Sequence, residues 1–313
     1  MTLLAVNDLR VGFGRQPVVR GIGFTLDRGE TLALVGESGC GKSLTALALM
    51  QLLPPGAAIA GGSIQLDGID LVGASPRTLR TVRGRQIGLV LQEPMTALNP
   101  VRTIGAQVAE AVRQHILLPR AALRSRVLDL LDLVGIPEPA RAAAAYPHMF
   151  SGGMRQRVMI AIAVSCNPAL LIADEPTTAL DVTIQGQVLD LLARLQRERD
   201  MALLLITHDL GIVADRADRV AVMYAGRIVE QGHAAAVLAS PAHPYAAGLL
   251  AAAATGHYTT GRLLEIPGTV ASAAAAPGCP FGPRCGQHIP PCDADVPSLH
   301  AVAPTHAAAC IRA

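Results

Sequence analysis

The residues with the clearest chemical capacity are Gly36-Glu37-Ser38-Gly39-Cys40-Gly41-Lys42-Ser43. They fit G-x-x-x-x-G-K-[ST], between the apolar run Thr31 to Val35 and the helix-like Leu44 to Leu49, as a phosphate-binding loop requires. Glycines there let the backbone turn tightly and aim its N–H groups at phosphate oxygens, and the helix adds its positive N-terminal end. Lys42 is expected to reach the β- and γ-phosphates as a cation, and the Ser43 hydroxyl to take one position on Mg²⁺. A nucleotide is therefore the first expected ligand. The loop alone does not say what its energy drives.

Acids, glycines, a histidine and cysteines supply the other candidates. Ala169 to Ala173 reads as a buried parallel strand whose C-terminal edge releases Asp174 and Glu175, where ligands bind in open α/β sheets. In a phosphate-loop protein such an acid is the Mg²⁺ carboxylate, and Glu175 stands where it could polarise the attacking water; a surface turn is the plainer alternative. Ser151-Gly152-Gly153 opens an apolar helix, so it either offers open N–H groups to an anion or is an ordinary N-cap and turn. His208 ends a strand from Ala202 to Thr207, placed to touch a γ-phosphate, to orient Glu175 or to serve structure alone. Phe13, between glycines, is either a core aromatic or a flat platform for an adenine ring. Cys279, Cys285, Cys292 and Cys310 are spaced C-x5-C-x6-C-x17-C in a Pro/Gly-rich tail. Four thiolates suit Zn²⁺ or an iron–sulfur cluster, although paired C-x2-C knuckles are absent; unliganded thiols are the third reading. Cys40 and Cys166 lie in predicted core elements, with no redox role expected.

The chain that must position these groups has 313 residues, enough for one large or two modest domains. Its net charge of +2, with aromatics at 3% and no Trp, speaks against nucleic acid as a partner. Alanine inflates the apolar content of 51%. The stretch from His233 to Gly261 is broken by Pro241 and Pro244, and that from Val158 to Ala173 is short and broken by Asn167-Pro168, so neither reads as a membrane span. The N-terminus lacks a secretory pattern, which makes the cytoplasm the expected compartment and metal a better expectation than disulfide for the cysteines. Strands are predicted over Leu4 to Val11 and Pro17 to Leu26, a hairpin at Asp67-Gly68, and a strand from Gln86 to Leu91 that ends in Gln92. Helices are predicted over Ile104 to Leu117, Arg120 to Val134 and Gln185 to Arg199, and a closing strand pair over Val220 to Tyr224 and Arg227 to Glu230.

The order of the loop, Gln92, Ser151-Gly152-Gly153, Asp174-Glu175, Thr178-Ala179-Leu180-Asp181 and His208 resembles the ATP-binding subunit of an ATP-binding cassette transporter, across about residues 4 to 232. The resemblance implies an α/β, P-loop NTPase ATP-binding cassette fold over residues 1–232, with an antiparallel β subdomain and an inserted helical subdomain at about 95–167. Residues 233–313 are then a small C-terminal cysteine-rich extension. It implies that ATP and Mg²⁺ bind residues 36–43, that Phe13 stacks on adenine, and that Gln92 is the lid glutamine beside Mg²⁺. Ser151 to Gly153 become the signature, Asp174 the Mg²⁺ carboxylate, Glu175 the general base and His208 the switch histidine, with Asp181 also at the nucleotide. In such cassettes the signature of one subunit completes the ATP site of the other in a head-to-tail dimer, and two membrane permeases and an external solute-binding protein are the further partners. That implies a peripheral position on the cytoplasmic face of the membrane.

Residues Gln92 to Pro100, Tyr146 to Arg157 and the cysteine tail look like the oligopeptide/dipeptide importer ATPases, and Met154 resembles the first of two paired ATPase subunits. The run Cys279-Pro280-Phe281-Gly282-Pro283-Arg284-Cys285 implies a [4Fe-4S] cluster, with Zn²⁺ the alternative. Two departures are Cys40 in place of the commoner Ser, and an alanine-rich Ala271 to Ala276. The expected function is an ATP-hydrolysing subunit that drives peptide uptake; import of nickel or another solute, or a soluble cassette ATPase, are the alternatives. A regulatory metal protein with a vestigial nucleotide site conflicts with intact Lys42, Asp174, Glu175 and His208.

Overall fold

Alternating apolar residues make strands on both sides of the phosphate loop. In the computed structural model, which describes residues 1–92, 97–178, 180–254, 266–270 and 277–313, β1 (Thr2–Phe13) buries Leu4, Val6, Leu9 and Val11. It pairs antiparallel with β4 (Ala57–Leu66), and β2 (Gln16–Asp27) and β5 (Ile69–Asp70) complete a sheet in the order β2-β1-β4-β5. Asp67 and Gly68 both take positive φ, 48° and 80°, the geometry that a two-residue hairpin favours. Between these strands β3 (Thr31–Val35), buried at every residue, leads through the phosphate loop into α1 (Lys42–Leu49).

The described chain divides into two compact units. The first comprises Met1, residues 27–29 and 74–204; the second comprises residues 2–26, 30–73 and 205–313. In the first unit α2 (Pro76–Val82) precedes β6 (Ile87–Val90), which pairs parallel with β7 (Leu170–Asp174), and β8 (Ala202–Thr207), of which only the first three residues belong to this unit, neighbours β7. Between β6 and β7 lie α3 (Ile104–Arg113), α4 (Arg120–Leu133), α5 (Pro139–Ala144) and α6 (Gly152–Ala163), which pack on one another. Their apolar stripes have helical spacing: Ile104, Val108 and Val112 on α3, and Leu123, Val127, Leu130 and Leu131 on α4. The predicted helix from Ile104 to Leu117 stops at Arg113. Leu117 is 97% exposed and so offers nothing to bury, and Pro119 disfavours helical backbone at Leu118. The helix predicted from Gln185 begins earlier, as α7 (Val182–Arg199), because Asp181 caps it.

In the second unit the remaining strands run in the order β11-β12-β10-β9-β3. Strand β9 (Arg219–Tyr224) is parallel to β3 and antiparallel to β10 (Arg227–His233). β10 then takes on β12 (His306–Ala308), with Glu230 opposite Ala308, and β11 (His300–Ala303) pairs outside it. Helices α8 (Leu210–Arg216), α9 (Ala234–Ala239) and α10 (Pro244–Ala254) complete the unit. One core joins Val35 of β3 to Val222, Tyr224, Tyr245 and Phe281, with Cys279 and Cys285 packed at its margin. The chain has four Phe, four Tyr and no Trp, and three of those eight rings meet here: Tyr224 lies 4.6 Å from Tyr245 and 5.2 Å from Phe281 between centroids. Such pairs contribute about 0.5–1.5 kcal/mol each beyond their buried area.

Glu93 to Thr96 of the predicted importer motif, Ala179, and the alanine-rich segment from Ala271 to Ala276 lie outside the described residues. No helix among the described residues is long and apolar enough to cross a membrane.

Candidate nucleotide site

The loop at residues 36–43 needs its glycines for two different reasons. Gly36 has φ 154° and its missing Cβ would fall 2.1 Å from the Met223 carbonyl oxygen, so only hydrogen fits beneath it. Gly39 has φ 80° with open space where a side chain would be, so its requirement is conformational. Lys42, 5% exposed, folds back so that Nζ donates to the carbonyl oxygens of Gly36 (2.7 Å) and Glu37 (3.0 Å). Helix α1 has no acidic residue in its first turn. Its open N–H groups, the lysine and the open side of Gly39 together fit a polyphosphate chain. A cavity of about 570 Å³ adjoins the loop, lined by Val18, Arg20, Glu37, Ser38, Gly39 and Gly226. Cys40 is buried, and burial pushes its thiol above the ordinary range against the pull of Lys42.

Also in the second unit, Phe13 is 42% exposed at the end of β1 rather than packed in the core. His208 is exposed directly after β8, and the next residue, Asp209, caps α8 through Oδ1, which accepts from Gly211 N (2.8 Å) and Ile212 N (3.3 Å).

The first unit brings Glu175 and Gln92 together across 83 residues of sequence. Gln92 Nε2 donates to Glu175 Oε2 at 3.1 Å, and Thr178 Oγ1 donates to the same oxygen at 2.8 Å. Glu175 has φ 45°, a conformation that non-glycine residues adopt at some expense and that concentrates at working sites. Asp174, 5% exposed, is the last residue of β7. The Ser151 hydroxyl accepts from Met154 N at 3.3 Å, capping α6. A Cβ on Gly153 would meet Ile184 at 2.5 Å, which explains the second glycine by packing. Asp181 is the N-cap of α7, its Oδ1 accepting from Ile184 N at 3.0 Å.

Cys279, Cys285, Cys292 and Cys310 line one small pocket with His243 and Phe281, with about 20 Å³ between them, room for one water-sized species. Burial raises the thiols of Cys279 and Cys285, and the neighbouring Cys292 and Cys310 raise them further. Among the described residues no three His, Cys, Asp or Glu stand close enough to hold a metal ion, so the structure itself does not display the expected [4Fe-4S] or zinc site.

Two groups of functional interest left no sequence signal. Arg284, between Cys279 and Cys285, pairs with Glu37 of the loop, 247 positions away. Glu230, fully buried in β10, accepts from His306 Nε2 (2.6 Å), Ala242 N (2.8 Å) and His243 N (2.7 Å), and so fastens the C-terminal residues. Neither pairing has a local spacing that could have announced it.

Comparison with known proteins agrees with this geometry. The ABC transporter family profile matches residues 19–178, and the profile for the oligopeptide/dipeptide transporter C-terminal region matches residues 229–292. The dipeptide transport ATP-binding protein DppD of Bacillus subtilis is 46% identical over 98% of this chain and 94% of its own. The oligopeptide transport ATP-binding protein OppD of the same organism is 50% identical over 85% of this chain and 76% of its own. Among solved structures, cbiO1 of Clostridium perfringens, part of the ABC transporter complex cbiONQ, superposes with a TM-score of 0.67 at 29% identity, covering 76% of this chain and 91% of that one. A dimeric bacterial ABC transporter cassette gives 0.66 at 25% identity, covering 74% and 99%. With a profile over half its length and near-half identity to relatives along nearly all of it, the chain belongs to the ABC transporter family, as an ATP-binding subunit of the oligopeptide/dipeptide branch.

Proposed function

We propose that this chain is the ATP-hydrolysing subunit of a membrane importer for di- or oligopeptides. The observation that carries the chemistry is the carboxylate of Glu175, which follows the last residue of β7 and is gripped on one oxygen by Gln92 and Thr178. In this reading Glu175 takes the proton from that water as it attacks the γ-phosphate, and His208 aligns the γ-phosphate and the base. Lys42 and the N-terminal N–H groups of α1 hold the phosphates, and the exposed ring of Phe13 stacks on adenine. Ser43, Asp174 and the Gln92 amide oxygen are the residues that would hold Mg²⁺, whose charge offsets that developing on the β- and γ-phosphate oxygens. Ser151 to Gly153 face the ATP of a second cassette, identical or paralogous, so two nucleotides are enclosed head to tail, with Asp181 at the same boundary. Met154 favours the first of two paired paralogues. ATP closes the dimer and hydrolysis reopens it, driving two membrane permeases that receive peptide from an external binding protein; the chain then sits peripherally at the cytoplasmic face.

The test is Glu175→Gln, which keeps the shape and removes the base. The variant is expected to bind ATP, accumulate as a closed dimer and lose at least about a hundredfold in turnover, within the usual contribution of a general base. Turnover at the wild-type rate would sink the assignment. Cells carrying the variant should also stop taking up labelled dipeptide; loss of nickel uptake in its place would move the cargo to the alternative.

We further infer that the four cysteines bind a [4Fe-4S] cluster. The shared lining of one pocket by all four cysteines, and the resemblance of the run from Cys279 to Cys285, support it. Protein purified without oxygen is expected to contain iron and acid-labile sulfide at about four of each per chain. Zinc alone, at one per chain, would reverse this.

A further inference from the structure

We infer that Arg284 is a positioning residue for the phosphate loop, through which the C-terminal cysteine segment sets nucleotide affinity; this rests on reading residues 36–43 as the ATP site. Arg284 belongs to the short turn Gly282–Arg284 between Cys279 and Cys285, and its side chain is 4% exposed. All five of its N–H donors are used. Nη1 and Nη2 form a two-pronged fork on the two carboxylate oxygens of Glu37, at 2.9 and 3.0 Å. Nη1 also donates to Tyr224 OH (3.3 Å), Nη2 to Ile266 O (3.0 Å) and Nε to Pro267 O (2.7 Å). Burial opposes the charge on this guanidinium, but the bonds and charge of Glu37 outweigh it and hold its pKa above the ordinary value.

Glu37 is thereby held at three points. Arg284 fixes its carboxylate, Tyr245 OH accepts its N–H at 2.9 Å, and its carbonyl accepts Lys42 Nζ at 3.0 Å. Both Arg284 and Tyr245 belong to the chain beyond β10, whereas Lys42 is the residue assigned to the phosphates. The path from the cysteine turn to the lysine is therefore two contacts long, Arg284 to Glu37 to Lys42. A loop already held in shape gives up less conformational freedom when a ligand arrives, so this grip raises affinity without Arg284 touching the nucleotide. A point charge on a flexible stem reproduces the attraction but not the planar fork, so lysine is an incomplete substitute.

The experiment is equilibrium binding of fluorescent trinitrophenyl-ATP with Mg²⁺ to the full chain, at a temperature where circular dichroism shows every variant folded. Arg284→Ala is expected to raise the dissociation constant about tenfold, Arg284→Lys to recover part of the loss, and the double variant with Glu37→Ala to bind no more weakly than Glu37→Ala alone. A role confined to stability would lower the melting temperature and leave the affinity of the folded protein unchanged. Affinity within twofold of wild type in Arg284→Ala, or additive losses in the double variant, overturns the inference. Should Arg284→Ala not fold, Glu37→Gln removes the ion pair alone; a several-fold weaker affinity is expected, and an unchanged one is the contrary result. Lys42→Ala serves as the reference: if it binds nucleotide as wild type does, the reading of the loop has failed, whereas weak binding by Lys42→Ala beside normal binding by Arg284→Ala condemns only the positioning role.

Discussion

At the scale of single residues, Gly36 and Gly39 separate two meanings of the same letter. An alanine at 36 collides with a backbone oxygen that cannot rotate away, while one at 39 meets open space and bears only the strain of positive φ. Gly36→Ala is accordingly expected to destabilise by about 3 kcal/mol or more, and Gly39→Ala by about 1–2 kcal/mol, as read from urea midpoints. Equal midpoints would show that the collision is relieved by movement of β9. The glycine spacing, Lys42 and the paired acids were legible in the sequence because their chemistry is local: a motif fixes its own turn. The grip of Gln92 on Glu175 and of Arg284 on Glu37 was not, since side chains 83 and 247 positions apart meet through the fold and no periodicity records their approach.

At the scale of elements, Ser75, Thr103, Ser151, Asp181 and Asp209 each accept an N–H from the first turn of the helix that follows, and of these only Ser151 was read from the sequence as a possible cap. Helix α10 is started in a less usual way. His243, 2% exposed, uses Nδ1 to accept Tyr245 N at 3.0 Å, and burial lowers its pKa from the ordinary 6.5 to about 4. The folded state therefore holds this ring neutral where the unfolded chain takes up a proton. Its contribution is complete above pH 6.5 and is lost as pH falls from 6.5 towards 4, by up to about 1.4 kcal/mol per pH unit and roughly 3 kcal/mol in all. In His243→Asn the side-chain oxygen can cap without titrating, so chemical denaturation across this window should show a flatter profile than wild type. Parallel profiles would remove His243 as the cause. The over-long reading of α3 came from apolar letters at Ile116 to Leu118 that continued the pattern, although Leu117 and Leu118 are exposed.

At the scale of the molecule, the C-terminal residues are built into the unit that carries the phosphate loop. They supply β12 to the edge of β10, Tyr245 and Phe281 to the core, and the donors Ala242 N, His243 N and His306 Nε2 to the buried carboxylate of Glu230. A chain ended after His233 would keep every ATP-binding motif and lose all of these. An edge strand, two buried core aromatics and a buried ion pair lost together are comparable to the whole margin of many domains. Such a truncated chain is expected to be insoluble or to melt far below the full chain in a thermal scan; a soluble fragment with unchanged melting and ATP affinity would show the extension to be dispensable. The sequence led us to expect an extension over residues 233–313 with its cysteines, but a three-residue strand such as β12, with only Ala307 between His306 and Ala308, has no readable alternation. The pairing of β10 with β12 also has a consequence for synthesis. Residues 74–204 make up nearly all of one compact unit and are complete well before the C-terminus is made, whereas the unit containing Thr2 and the phosphate loop gains β12 only once residue 308 has been made. The first strand of the protein thus belongs to the part that is finished last.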